Sequence, residues 1–144
     1  MKVASAVTAV FVAGLLKPIA ALAAWNKEAF GAKNPADAMK GMGVTDAVPN
    51  TDLVIEAPEI AENGAVVPIE IASTIAGTKS IAVIIDKNPF PLVGKFDFMG
   101  DALPFVKLNV KMGETSAVRV IAEAGGKHYV ATKNIKVTIG GCGG

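Results

Sequence analysis

Val106-Lys107-Leu108-Asn109-Val110-Lys111-Met112 alternates apolar and polar side chains at every step. Successive side chains of a strand point to opposite faces, so a strict period of two reads as a strand with one buried face. The segments that follow repeat the pattern. Lys111-Met112-Gly113-Glu114 is a turn, and Ala117–Ala124 sets Val118, Val120 and Ala122 opposite Arg119, Ile121 and Glu123. Gly125-Gly126 then supplies a hairpin turn. His128–Ile139 is expected as the last strand, with Tyr129, Ala131, Ile135, Val137 and Ile139 on one face.

The same grammar extends back to about Thr51. Leu53, Ile55 and Ala57 share one face of a strand, and Asn63-Gly64 is a turn signal. Val67, Ile69 and Ile71 share another face, opposite Pro68 and Glu70. Proline cannot donate to a strand ladder, so Pro68 predicts an edge position or a bulge. Ile81-Ala82-Val83-Ile84-Ile85 is apolar throughout, which predicts a central strand covered on both faces. Asp86-Lys87-Asn88-Pro89 is a turn, and Phe90–Met99 reads as a further extended stretch. About seven short strands at regular spacing predict an all-β fold, an immunoglobulin-like antiparallel β-sandwich. The Cys…Trp…Cys signature of antibody domains is absent, so the analogy covers architecture alone.

Ahead of the strands, Trp25–Met42 lacks alternation and has helical character. Asn34-Pro35 suits a helix start, with Asn at the cap and Pro in the first turn, and Gly41 and Gly43 end it. One short helix or two are expected. Further back, Met1-Lys2, the apolar run Val3–Leu16, Lys17-Pro18 and the small residues Ala21 and Ala23 read as an export signal cleaved near Ala23 or Ala24. The alternative is an N-terminal anchor, but the uninterrupted apolar run is shorter than the roughly 20 residues that span a bilayer. No stable membrane anchor is expected. The resulting division is an export signal over 1–23, a helical lead-in over 24–50, a β-sandwich over 51–139 and a Gly-rich arm over 140–144.

Loss of residues 1–23 removes Lys2 and Lys17, leaving 12 basic side chains against 13 acidic ones. The basic residues are scattered and Arg119 is the sole arginine, which argues against nucleic-acid binding.

The sequence holds one cysteine, Cys142, within Gly140-Gly141-Cys142-Gly143-Gly144. A single cysteine forms no internal disulfide, so it is either an apolar filler or a thiol that reacts with something else. Flanking glycines leave no adjacent side chain to bury it. Glycine loses the most conformational freedom on ordering, so the segment is expected to remain a flexible arm. Fully extended, five residues reach about 16 Å at roughly 3.3 Å each. Such a strip is also thin enough to enter a narrow channel and place its sulfur deep inside. The chemistry open to a thiolate is sulfur–sulfur bond formation and exchange. Lys136 is the nearest cation, and nothing close by in sequence obviously activates the thiol. Activation by a visiting protein suits a carrier better than an enzyme, and no catalytic residue, cofactor or metal ligand is assigned.

His128 is the sole histidine and follows the hairpin turn, which reads as a solvated surface residue. One His and one Cys 14 residues apart supply neither a metal site nor an oriented nucleophile–base pair. Asp86, Asp97 and Asp101 read as solvated loop carboxylates in preference to a calcium site. Phe90, Phe96 and Phe98 read as core in preference to a partner-facing surface.

The terminal Gly140–Gly144 motif follows Ile135-Lys136-Val137-Thr138-Ile139, with Thr115-Ser116-Ala117-Val118-Arg119-Val120 and the Gly125-Gly126 hairpin upstream. On these residues the chain resembles the SoxY-type sulfur-carrier subunit of the Sox thiosulfate-oxidation system. The resemblance implies a periplasmic β-sandwich paired with a SoxZ-type subunit and carrying its substrate covalently on Cys142. It implies that a SoxAX-type haem enzyme joins thiosulfate to the thiol as a cysteine S-thiosulfonate. A SoxB-type hydrolase then releases sulfate, and a sulfane dehydrogenase, where present, oxidises the remaining sulfur. The carrier itself holds no metal or haem. Cys142 and Gly140, Gly141, Gly143 and Gly144 are the positions that carry over. Members of the family often show a twin-arginine signal, which Met1-Lys2 lacks, so the export route stays open. Two other readings compete: an exported structural sandwich whose cysteine forms an intermolecular disulfide, and a carrier activated as a terminal thiocarboxylate. The second uses a carboxylate and needs no cysteine.

Overall fold

The computed structural model describes residues 26–138. The expected export signal, Ile139 and the Gly140–Gly144 arm lie outside the described residues. The predicted lead-in forms two helices, α1 (Lys27–Gly31) and α2 (Pro35–Gly41). Each begins on an asparagine whose side chain accepts a backbone N–H: Asn26 from Ala29 at 3.0 Å and Asn34 from Asp37 at 2.9 Å. Pro35 occupies the first turn of α2, as Asn34-Pro35 predicts, where its missing N–H goes unused. The Asn26 amide also donates to the Gly41 carbonyl at 2.8 Å and ties the start of α1 to the end of α2.

Nine strands follow: β1 (Ala47–Pro49), β2 (Leu53–Glu56), β3 (Ile60–Ala61), β4 (Val67–Ser73), β5 (Thr78–Ile85), β6 (Leu92–Asp97), β7 (Phe105–Val110), β8 (Ser116–Ala124) and β9 (Lys127–Val137). They build a sandwich of immunoglobulin-like type. One sheet runs β1-β9-β8-β5-β6 with β3 also on β9, and the other runs β2-β4-β7. Alternation decides which side chains meet between the sheets. Leu53, Val67, Ile69, Ile71, Val106 and Val110 from the smaller sheet pack against Ile81, Val83, Ile85, Val118, Val120, Ala122 and Ile135 from the larger.

The apolar run of β5 is covered on both faces, as its sequence predicts. Ile81, Val83 and Ile85 enter the core between the sheets. Ala82 and Ile84 face the other way and pack with Ile121, Leu92 and the helical residues Ala29 and Ala38. Helices laid over the outer face of a sheet explain a strand with no polar side.

Three features depart from the sequence reading. β1 and β3 are additional strands, and β1 falls inside the stretch read as helical lead-in. Both run parallel to β9, at its beginning and its end, in a sheet otherwise expected to be antiparallel. Strands of three and two residues are too short to show a period, and backbone pairing specifies them. Their effect is to cover parts of the outer edge of β9, which would otherwise present a long row of unpaired groups. The third departure is Pro68. It lies in the middle strand of the smaller sheet, yet pairing with β2 stops at Glu56–Glu70, so Pro68 has a strand partner, Asn109, on one side only.

The hairpin joining β8 to β9 turns at Gly125 and Gly126, with φ of 57° and 74°. Two successive positive φ values suit a tight hairpin and favour glycine. Gly64 is required for a different reason, since a Cβ there would lie 2.3 Å from the Met112 carbonyl oxygen. Gly64→Ala is therefore expected to destabilise the fold by about 1–3 kcal/mol through overpacking, read as a lower urea midpoint.

Candidate functional site

The sequence places its chemistry on Cys142, and the structure describes the strand that leads toward it as far as Thr138. The last strand, β9, carries the backbone to Val137 and Thr138, the final described residue. Three consecutive amides at this end are all engaged. Lys136 N–H donates to the Glu59 carbonyl at 2.9 Å, and Thr138 N–H to the Ala61 carbonyl at 3.1 Å. Between them, Val137 N–H donates to the Thr115 hydroxyl oxygen at 3.0 Å, and that hydroxyl donates back to the Val137 carbonyl at 3.4 Å.

This alternation follows from strand geometry. Successive amides point to opposite edges, so Lys136 and Thr138 face β3 while Val137 faces β8. The β8 ladder ends at Ser116–Ile135. Thr115 lies one residue before β8, and its hydroxyl serves as both acceptor and donor where the backbone ladder stops. The Val137 side chain is half-buried against the core, and a Cβ at Gly64 would come within 2.9 Å of its Cγ1. Both edges and one face of the strand end are thus held.

His128 lies at the other end of β9, opposite Glu123. It is half-buried and not the fully solvated residue its turn-proximal position suggests, because it borders a small cavity that reaches Met42, Val44 and Ile121. Asp86 is not a solvated loop carboxylate either. Arg119 grips it with Nε to Oδ1 at 2.8 Å and Nη2 to Oδ2 at 2.8 Å, tying β8 to the turn after β5. These hydrogen bonds hold Arg119 above its ordinary pKa, with burial opposing and the Asp86 charge adding. Asp97 pairs with Lys95 on the surface, and Asp101 is exposed. Among the described residues no group of three or more His, Cys, Asp or Glu converges as metal ligands would.

The aromatics divide. Phe96 and Phe98 pack against the core, as expected, whereas Phe90 is half-exposed under the Lys33 ammonium, 3.4 Å from its ring centre. Met99, Leu103 and Phe105 add exposed apolar surface at the approach to β7. Cys142 and its four glycines lie outside the described residues. The contact the sequence reading missed is Thr115, noted there only as part of a segment. Its position one residue before an alternating strand, facing the last residues before the glycines, is the available signal.

A family model described as Sulfur oxidation protein SoxY matches residues 39–142. No curated protein matches the sequence. Among solved structures, the sulfur carrier protein SoxY from Chlorobium limicola f thiosulfatophilum is 38% identical, with a TM-score of 0.66 over 72% of this chain and 96% of that one. A superoxide reductase (neelaredoxin) variant from Ignicoccus hospitalis superposes with a TM-score of 0.54 over 69% of this chain and 87% of that one. At 19% identity that likeness shows the fold alone. The family match spans both sheets and continues through the strand end to Cys142, and on it the chain belongs to the SoxY family of sulfur oxidation proteins.

Proposed function

We propose that this chain is a periplasmic sulfur carrier which holds thiosulfate-derived sulfur on Cys142 and presents it to separate enzymes. The observation that carries the reading is a single cysteine in a glycine strip, a few residues in sequence past a strand end where three consecutive amides are hydrogen-bonded. A rigid root with a short thin tether suits delivery of one sulfur atom into other proteins' active sites.

The Cys142 thiolate and the outer sulfur of thiosulfate form a sulfur–sulfur bond, giving a cysteine S-thiosulfonate and releasing two electrons. A SoxAX-type haem enzyme accepts them. A SoxB-type hydrolase then adds water across the terminal sulfur–sulfur bond, releasing sulfate and two protons and leaving an ionised persulfide on Cys142. A sulfane dehydrogenase, where present, oxidises that sulfur. A SoxZ-type subunit is the stable partner. The chain is a carrier and not an enzyme, and its sole histidine is not the base for the thiol. His128 is too far away: ten strand residues rise about 33 Å, whereas four residues from Thr138 to Cys142 span about 14 Å. The N-terminal pattern of residues 1–23 supports export, which places the thiol where disulfides persist and an idle thiol is exposed to oxidation.

The test is reconstitution with thiosulfate and the oxidising partner, followed by intact mass. Sulfur-containing adducts on the monomer are expected. A stable disulfide-linked homodimer as the sole product would favour the structural reading instead. A second expectation concerns the glycines. Replacing Gly141 and Gly143 with tryptophan should slow partner turnover at least severalfold while the thermal midpoint stays the same. Unchanged turnover would refute the thin-arm argument.

A further inference from the structure

We infer that Thr115 is a positioning residue that fixes where the carrier arm begins, and so sets the length of the tether bearing Cys142. The inference rests on the carrier reading above. Its evidence is the contrast between the two edges of β9. On one edge, β3 supplies ordinary backbone partners, Glu59 and Ala61, to Lys136 and Thr138. On the other, β8 has already ended, and among the described residues the Thr115 side chain bonds both backbone groups of Val137. Thr115 is exposed and lies outside the core between the sheets. Its hydroxyl therefore has a local effect: it holds the last stretch of strand against peeling from its inner edge.

A carrier arm needs a defined starting point. If the chain peels back from Thr138 to Ile135, three residues are added to the tether, and its reach grows by about 10 Å. A longer tether lowers the effective concentration of the thiol at any site a docked partner presents. Thr115 thus acts on delivery through the strand end and not through the thiol.

The experiment compares Thr115→Val and Thr115→Ser in the full chain with its partner subunit. Valine keeps the shape and removes the hydroxyl, and serine restores it. Amide hydrogen exchange is read residue by residue. In Thr115→Val, exchange at Val137 should accelerate about fivefold or more, the equivalent of one ordinary hydrogen bond lost. Amides of β5 should not change, which separates local peeling from loss of global stability. Loading of Cys142 by the oxidising partner should fall at least twofold in rate, while reaction of the thiol with a small disulfide reagent stays constant. Thr115→Ser should restore both properties.

Unchanged exchange at Val137 would overturn the clamp. Faster exchange with unchanged partner loading would overturn its positioning role. Failure of the parent chain to load sulfur at all would instead refute the carrier reading, and the positioning role with it, and the exchange result would show whether the clamp itself exists.

Discussion

In the Cys142→Ala variant, thiosulfate-dependent electron release in a reconstituted system should fall to the level given by the partner enzymes alone. No other residue can take over, because the chain has one cysteine and no second nucleophile of comparable thiolate character. The loss should be complete in rate and absent in stability. Cys142 lies five residues past the end of β9 in the sequence, flanked by glycines that offer no side chains to pack beside it. Thermal denaturation should therefore superimpose on that of the parent. Full activity in Cys142→Ala would refute the covalent-carrier account. The same experiment with Cys142→Ser separates it from a terminal thiocarboxylate mechanism, which serine would leave intact.

The converse result is expected for Ile81→Ala. Ile81 is fully buried in β5, between Phe96 on β6 and Ala122 on β8, with its side chain in the core between the sheets. Truncating a buried isoleucine removes transfer free energy and leaves a cavity, together about 2–5 kcal/mol. Against a typical domain stability of about 5–15 kcal/mol, that is a large fraction. Urea denaturation should show the loss. Below the unfolding transition, the surviving folded molecules should still load sulfur on Cys142. A destabilisation under about 1 kcal/mol would mean that the core is not organised around β5 as described. The two substitutions dissociate the body of the protein from its chemistry, as a carrier with no catalytic groups on its body requires.

The sandwich was legible because its main strands carry a period of two. Val118, Val120 and Ala122 all enter the core, as do Val67, Ile69 and Ile71. The run at Ile81–Ile85 announced a strand covered twice, and α1 and α2 supply the second cover. Asn34-Pro35 announced a helix start by cap chemistry, independent of packing. What escaped is held by the backbone. β1 and β3 are defined by parallel pairing to β9, which leaves no mark on side-chain type in so few residues. Pro68 pointed to an edge, and the edge is local, created by where β2 stops.

Of the proposed site, Cys142 and its glycines, which lie outside the described residues, stand out by composition. The anchoring of the strand that precedes them does not, because it depends on Thr115 meeting Val137 across 22 residues. Nor did the Asp86–Arg119 grip show in the sequence, since nothing in either segment reveals that the end of β5 and the middle of β8 are neighbours.

The most direct measurement uses the position of the last lysine. Trypsin cleaves after Lys136, so the peptide that begins at Val137 contains Cys142, the sole cysteine of the sequence. Protein isolated from thiosulfate-grown cells without reductant should yield this peptide with sulfur-containing mass increments, localised to Cys142 by fragmentation and removed by dithiothreitol. Recovery of the peptide only as a free thiol or a disulfide-linked dimer, under conditions where thiosulfate is being consumed, would contradict the account.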